Sequence, residues 1–201
     1  MDQQPTKKSR AVFLDRDGTL IEEKGYISDP SQVSFFQRAV EAILALNQSP
    51  FLAIMISNQS GVARGYFTES SVCEIHSHIQ SLLETRGAYL DGIYYCPHLP
   101  EGAIPEYRIQ CSCRKPGIGM VEAAQRDFGI ERQGSYLIGD KLADIETAGR
   151  AGLTGMLVLT GYGTTEWERH VREGTGPGPH LVCKDLWTAV EWIMRKENIQ
   201  R

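Results

Sequence analysis

Ala11-Val12-Phe13-Leu14 is a run of four apolar residues that passes without a break into Asp15-Arg16-Asp17-Gly18-Thr19. A continuous apolar run reads as a strand covered on both faces, as a parallel sheet requires. Two carboxylates leave that strand together, and Gly18 permits a sharp turn. Such a pair is costly in a low-dielectric site unless a cation or a proton compensates it. Taken alone, the stretch reads more readily as a polar turn with two solvated acids, since turns are rich in Asp and Gly. The rest of the chain decides between these readings.

Further apolar runs place strands over residues 51–56, 92–95, 136–138 and 156–159, besides 11–15. Apolar residues at helical spacing place helices over 37–47, 118–128, 144–151 and 186–195, and Thr68 starts another that runs to about residue 86. Gly129 is the expected C′ residue of the third of these five helices in chain order, and the Gly/Pro-rich stretch 174–179 is a surface loop. Strands alternating with helices give an α/β fold: a Rossmann-like parallel sheet with helices on both faces and right-handed crossovers. The expected organisation is a disordered tail over residues 1–10 and a single domain over 11–201. In such sheets ligands bind beyond the carboxyl ends of the strands. Asp15 and Asp17, Ser57 and Asn58, and Asp140 all stand there, and Lys115 lies on a connection that returns across the sheet.

Composition narrows the partners. With 201 residues the chain is long enough for a substantial core. A formal charge of -4 argues against a nucleic-acid partner. No apolar run approaches the ~18 residues of a membrane span. The polar first ten residues lack the apolar core of a secretory signal, so a cytoplasmic protein is expected. Five cysteines, three of them crowded, fit metal binding better than a disulfide framework.

Cys96-x-His98 and Cys111-x-Cys113 offer thiolate and imidazole, the ligands of a closed tetrahedral Zn²⁺ site. Zinc would staple the loop 96–115, whose Pro100, Gly102 and Pro105 order poorly unaided, and would hold Arg114 and Lys115 just beyond it. The competing reading is a set of reduced thiols in a loop. Cys73 and Cys183 are expected to be packing cysteines, and His76 and His78 surface residues.

Asp15 to Thr19, Ser57 after the second strand, Lys115 before a helix and Gly139 to Asp144 together resemble the haloacid dehalogenase superfamily of aspartate-nucleophile phosphotransferases. DRDGTL, Gly25-Tyr26, SNQSGVARGYF (57–67), CPH…CSCRKP (96–116) and GDK are similar to the bacterial heptose bisphosphate phosphatases within it, to which a histidinol-phosphatase domain is related. Ser57 stands where that family usually has Thr, and both carry a hydroxyl. The resemblance implies Asp15 as nucleophile and Asp17 as acid and base. It implies Mg²⁺ on Asp15, the main-chain carbonyl of Asp17, and Asp140. Ser57 and Lys115 would hold the phosphoryl oxygens, with Asn58 adding an amide donor. Lys141 would reach the phosphate or orient the acids, unless it simply pairs with Asp144; Asp144 itself is expected to start a helix, its metal role open.

Substrate contacts are implied for Glu23, Lys24, Gly25, Tyr26, Ser57, Asn58, Gln59, Ser60, Arg114, Lys115 and Lys141, with Arg64 a weaker candidate. The fork of Arg114 suits a second phosphate. The insertion after Leu20 is too short for a cap domain, so the site is expected to be open. The expected activity is Mg²⁺-dependent removal of the C7 phosphate of D-glycero-D-manno-heptose 1,7-bisphosphate by a monomer, in nucleotide-activated heptose and lipopolysaccharide core biosynthesis. Histidinol-phosphate hydrolysis is the alternative from the same chemistry. An inactive zinc-stapled binding module is the alternative from another class, against which the full set of five polar positions argues.

Overall fold

A computed structural model describes residues 10–174 and 176–199. The expected tail over 1–10 therefore lies outside the described residues, save Arg10, which opens the first strand. In chain order the elements are β1 (Arg10–Leu14), α1 (Ala39–Asn47), β2 (Phe51–Asn58), α2 (Gly61–Arg64), α3 (Glu69–Glu84), β3 (Gly92–Cys96) and α4 (Gly119–Phe128). There follow β4 (Tyr136–Gly139), α5 (Leu142–Ala151), β5 (Thr154–Val158), α6 (Gly163–Glu173), β6 (Leu181–Cys183) and α7 (Leu186–Lys196). The six strands form one sheet in the order β3-β2-β1-β4-β5-β6, parallel throughout. The chain order reverses beside β1, so the crevice between β1 and β4 is the switch point where ligands collect.

Alternation along β1 explains the two cores. Val12 and Leu14 point into one layer with α1, α3 and α7 residues, including Ile43, Ile79 and Val190. Ala11 and Phe13 point into the other, with Val121 and Ala124 of α4 and Ala148 of α5. Helix ends follow local chemistry. Thr68 accepts the Ser71 amide at 3.2 Å, and Gly129 closes α4 in the left-handed conformation at φ 66°.

Three short or polar elements were not readable as apolar runs. They are α2, of four residues, α6, which buries only Gly163, and β6, three residues at the sheet edge. The helix expected from residue 144 starts at Leu142, so Asp144 is its third residue. His76 is not at the surface as expected: it is 5% exposed, because residues 72, 75, 76, 79 and 83 share the buried stripe of α3. Cys73, one step off that stripe, is exposed rather than packed, whereas Cys183 is buried as expected. His78 is half-exposed. No helix among the described residues is long and apolar enough to cross a membrane.

Candidate active site

Asp15 follows β1 directly, and its N–H donates to the Ile138 carbonyl of β4 at 2.9 Å. That bond brings the end of β1 beside Asp140, which follows β4. Asp144 comes up from the first turn of α5. Its Oδ2 accepts the Lys141 amide at 3.1 Å, which caps the helix start. The carboxylates of Asp15, Asp140 and Asp144 offer ligand oxygens that all lie within 4.8 Å of one another, and all three residues are buried.

One lysine sits among them. Lys115 Nζ donates to Asp15 Oδ1 at 2.7 Å and lies 2.5 Å from Asp144 Oδ1, an ion pair outside directed hydrogen-bond geometry. Nζ also reaches the Ile56 carbonyl at 3.3 Å. The lysine is aimed by Asn58, whose Oδ1 accepts the Lys115 amide at 2.9 Å and whose Nδ2 donates to the Lys115 carbonyl at 3.0 Å. The Asn58 amide, expected to bind phosphate, is thus engaged with the main chain of Lys115. Burial alone would pull the Lys115 ammonium down; Asp144 and Asp15 outweigh it and hold it above its ordinary range. Burial pushes Asp144 up to about 6, with Lys115 pulling back. Burial and then the Asp15 charge push Asp140 up to about 8.

Asp140 marks where a cation fits. Its Oδ2 accepts the Tyr162 amide at 2.8 Å, while Oδ1 is buried with no hydrogen-bond partner. A buried carboxylate oxygen without a partner, beside the oxygens of Asp15 and Asp144, is one that could hold a hard divalent ion. The carboxylate is packed from two sides by glycines. A Cβ on Gly18 (φ +84°) would stand 2.0 Å from Asp140 Oδ2, and one on Gly161 would stand 2.3 Å from it. Thr160 ties these turns together by donating to the Gly18 carbonyl at 2.7 Å. The turn 160–162 was invisible as a site in the sequence, where it is only a short polar stretch after a strand.

Asp17 lies outside that cluster of three acids. Its carboxylate takes bonds from Arg16 Nε (3.1 Å) and Nη2 (3.0 Å) and from Gln59 Nε2 (2.9 Å). Gln59 Nε2 also donates to Ser57 Oγ at 2.7 Å. Ser57 lines a small recess of about 40 Å³ together with Asp15, Asp17, Lys115 and Asp144. This recess shares Asp17, Asn58, Lys115 and Lys141 with a larger cavity of about 390 Å³. Glu23, Gly25, Tyr26, Gln59, Ser60 and Arg114 complete the expected residues on that cavity's wall, and Tyr162 joins them unannounced.

Some expected residues sit elsewhere. Lys24 turns out, donating to the Gln32 carbonyl at 3.0 Å and pairing with Glu22 at 3.6 Å. Arg64 is not on the cavity's wall; its guanidinium stands 5.9 Å from the centre of the Tyr26 ring, which packs edge-on against Tyr66 with centroids 4.7 Å apart. Lys141 pairs with Glu23 at 3.5 Å and not with Asp144. Burial lowers the Lys141 ammonium, but Asp15, Asp140 and Glu23 together hold it above its usual value. Burial and Asp17 raise the Glu23 carboxyl, against the pull of Lys141.

The cysteine cluster closes as expected. Cys113 Sγ lies 3.1 Å from both Cys96 Sγ and Cys111 Sγ, and Cys96 Sγ is 3.4 Å from Cys111 Sγ. His98 Nδ1 is 3.5 Å from Cys113 Sγ and 3.7 Å from Cys96 Sγ. A Zn²⁺ ion with sulfur at ≈ 2.3 Å has tetrahedral edges of about 3.8 Å, so the four atoms need open only slightly to take one. Burial pushes the Cys96 thiol up; the Cys113 and Cys96 sulfurs, against burial, draw Cys111 down to about 7.

Residues 112–189 match the HAD-hydrolase-like family. The fold and the acid–lysine cluster define a phosphoric monoester hydrolase of the haloacid dehalogenase superfamily. The chain is 44% identical over 158 residues to the D-glycero-β-D-manno-heptose-1,7-bisphosphate 7-phosphatase of Haemophilus ducreyi, covering 78% of this chain and 86% of that protein. It is 40% identical over 156 residues to the enzyme of the same name from Escherichia coli strain K12, covering 77% and 82%. A crystal structure of the D,D-heptose 1,7-bisphosphate phosphatase of B. bronchiseptica with magnesium and phosphate superposes with a TM-score of 0.81 at 30% identity, over 93% of this chain and 99% of that one. The chain belongs to the D-glycero-D-manno-heptose 1,7-bisphosphate 7-phosphatase family.

Proposed function

We propose that this chain removes the C7 phosphate of D-glycero-D-manno-heptose 1,7-bisphosphate through an aspartyl-phosphate on Asp15. The observation that carries the reading is the single wall shared by the recess and the cavity. It sets the buried Asp15–Lys115 pair beside a chamber with a second cationic group, Arg114, so one phosphate is attacked while another is clamped.

The steps assigned to the residues balance as follows. An Asp15 oxygen forms a bond to phosphorus as the bond from phosphorus to the sugar oxygen breaks. Asp17 gives that oxygen its proton. Water then loses a proton to Asp17 and attacks the phosphoryl group, which frees inorganic phosphate and restores Asp15. Lys115 and Ser57 bind the phosphoryl oxygens as charge moves onto them. Asp15, Asp140 and the Asp17 carbonyl would hold Mg²⁺, which supplies positive charge against two anionic partners. Cys96, His98, Cys111 and Cys113 would hold a structural Zn²⁺ with no open position for a reacting water. We place the enzyme in the cytoplasm as a monomer, acting in nucleotide-activated heptose supply for lipopolysaccharide core, with residues 11–201 as one catalytic unit.

The test is phosphate release from both anomers of the heptose bisphosphate, histidinol phosphate and fructose 1,6-bisphosphate, with and without Mg²⁺. The heptose ester should be preferred and the reaction should need the ion. A preference for histidinol phosphate would refute the substrate assignment.

A further inference from the structure

Arg16 is the largest fully buried side chain among the described residues, at 1% exposure. A buried guanidinium must have its N–H groups satisfied. Nε and Nη2 go to Asp17, Nη2 also donates to Gln59 Oε1 at 3.0 Å, and Nη1 faces His76 Nε2 at 3.3 Å. A guanidinium only donates, so His76 Nε2 is the acceptor, and the ring is neutral with its proton on Nδ1. We propose that His76 is a positioning residue for Asp17: its Nε2 lone pair fixes Arg16, and Arg16 with Gln59 fixes the carboxylate at the wall of the phosphate recess.

This rests on the assignment of Asp17 as the group that protonates the leaving sugar oxygen. When that proton leaves, Asp17 becomes an anion, and Arg16 is already in place to stabilise it without rearrangement. A loose Arg16 would let the carboxylate leave its line to the substrate, where small displacements are costly in rate. His76 is held in turn. Its ring packs edge-on against Tyr95 with centroids 5.4 Å apart, and the Tyr95 hydroxyl donates to Glu69 Oε1 at 2.9 Å. Glu69 Oε2 accepts the Tyr107 hydroxyl at 3.0 Å, so the same brace reaches the loop of the cysteine cluster. Burial and the Arg16 charge lower the His76 imidazole to about 3, which agrees with a permanent acceptor.

The experiment compares His76→Phe, which keeps the ring and lacks the acceptor, with His76→Gln, whose Oε1 can accept from Arg16. Each is assayed by rapid mixing for release of the first equivalent of alcohol or phenol from a sugar phosphate and from p-nitrophenyl phosphate, whose leaving phenolate needs no proton; hydrolysis of the aspartyl-phosphate, which uses Asp17 with either ester, comes after that readout. His76→Phe should slow the first turnover of the sugar phosphate roughly tenfold, a part of what a positioned acid–base group contributes, with KM within about twofold. Its first turnover of p-nitrophenyl phosphate should stay within about threefold of wild type, and His76→Gln should recover most of the sugar-phosphate rate. If the phenylalanine variant does not fold, His76→Asn, too short to reach Arg16, carries the same expectation. Equal losses on both esters, no loss, or a glutamine variant as impaired as the apolar one would overturn the proposal. Asp17→Asn separates the two layers: a first turnover of the sugar phosphate as fast as wild type in that variant would refute Asp17 as the proton donor and not the contact of His76.

Discussion

Replacing Lys115 by Met keeps the length of the side chain and removes the one cation between two buried carboxylates. Asp15 and Asp144 then lose partners at 2.7 and 2.5 Å, and Asp140 is close by with an oxygen already unpaired. Removing one member of a buried ion pair costs about 3–5 kcal/mol, because the remaining charge is buried uncompensated. Here one lysine serves two acids, so the expected loss is about 4 kcal/mol at pH 8. The sign with pH follows from linkage. In the variant the folded carboxyls bind protons more tightly than the unfolded ones, whose pKa is about 3.9. Between that value and the raised one, the folded state holds more protons, and its stability grows as pH falls. Urea unfolding of wild type and variant at pH 8 and pH 5.5 measures this directly. The deficit should shrink by at least about 1 kcal/mol at the lower pH, and Mg²⁺ should reduce it at pH 8 by replacing the missing positive charge. A deficit under about 1 kcal/mol at pH 8, or one that is equal at the two values, would refute the account of a lysine neutralising buried acids.

Asp15→Asn should cut phosphate release at least about a thousandfold while circular dichroism stays that of wild type, since it discharges one of three crowded acids. Gly18→Ala should cost about 1–2 kcal/mol in left-handed strain alone and displace Asp140, so both the melting temperature and Mg²⁺-dependent turnover should fall. Cys111→Ser should release zinc in metal analysis, with Tm lower by on the order of 10 °C and faster proteolysis within residues 96–115. His76, lowered from 6.5 to about 3, favours the unfolded state as pH falls through 6.5, because only the unfolded imidazole takes the proton. Wild type should therefore lose about 1.3 kcal/mol from this residue between pH 7.5 and 5.5, and His76→Gln should not; the pH dependence of urea midpoints checks it.

The strand-and-acid pattern was legible because burial on both faces leaves a continuous apolar run, and an acid after it breaks the run abruptly. Asp15, Ser57 and Asp140 were found that way, and Lys115 through its place before a helix. Contacts set by tertiary register were not. Nothing local says that Lys115 reaches Asp144, that Asn58 grips the Lys115 main chain, or that Arg16 is buried against His76. The stripe of α3 did hold a signal for His76, since it shares the spacing of Val72 and Ile79, but a histidine there reads equally as the edge of the polar face. Helix α6 escaped because it buries almost nothing, although its Glu166 accepts the Leu142 amide at 3.0 Å and so helps seat α5 below the acids. Lys24 and Arg64 show the converse: a charged residue next to a site in sequence is easily satisfied away from it.

The amide of Asp15 is zipped to Ile138 in the middle strands of the sheet. The carboxylate that we propose attacks phosphorus therefore hangs from the part of a domain that opens last, with the slowest amide exchange. Fraying at the edges, in β6 or α6, leaves that hinge-free centre intact. Residual turnover during denaturation should then report the globally folded fraction, and inactivation and unfolding should share one midpoint.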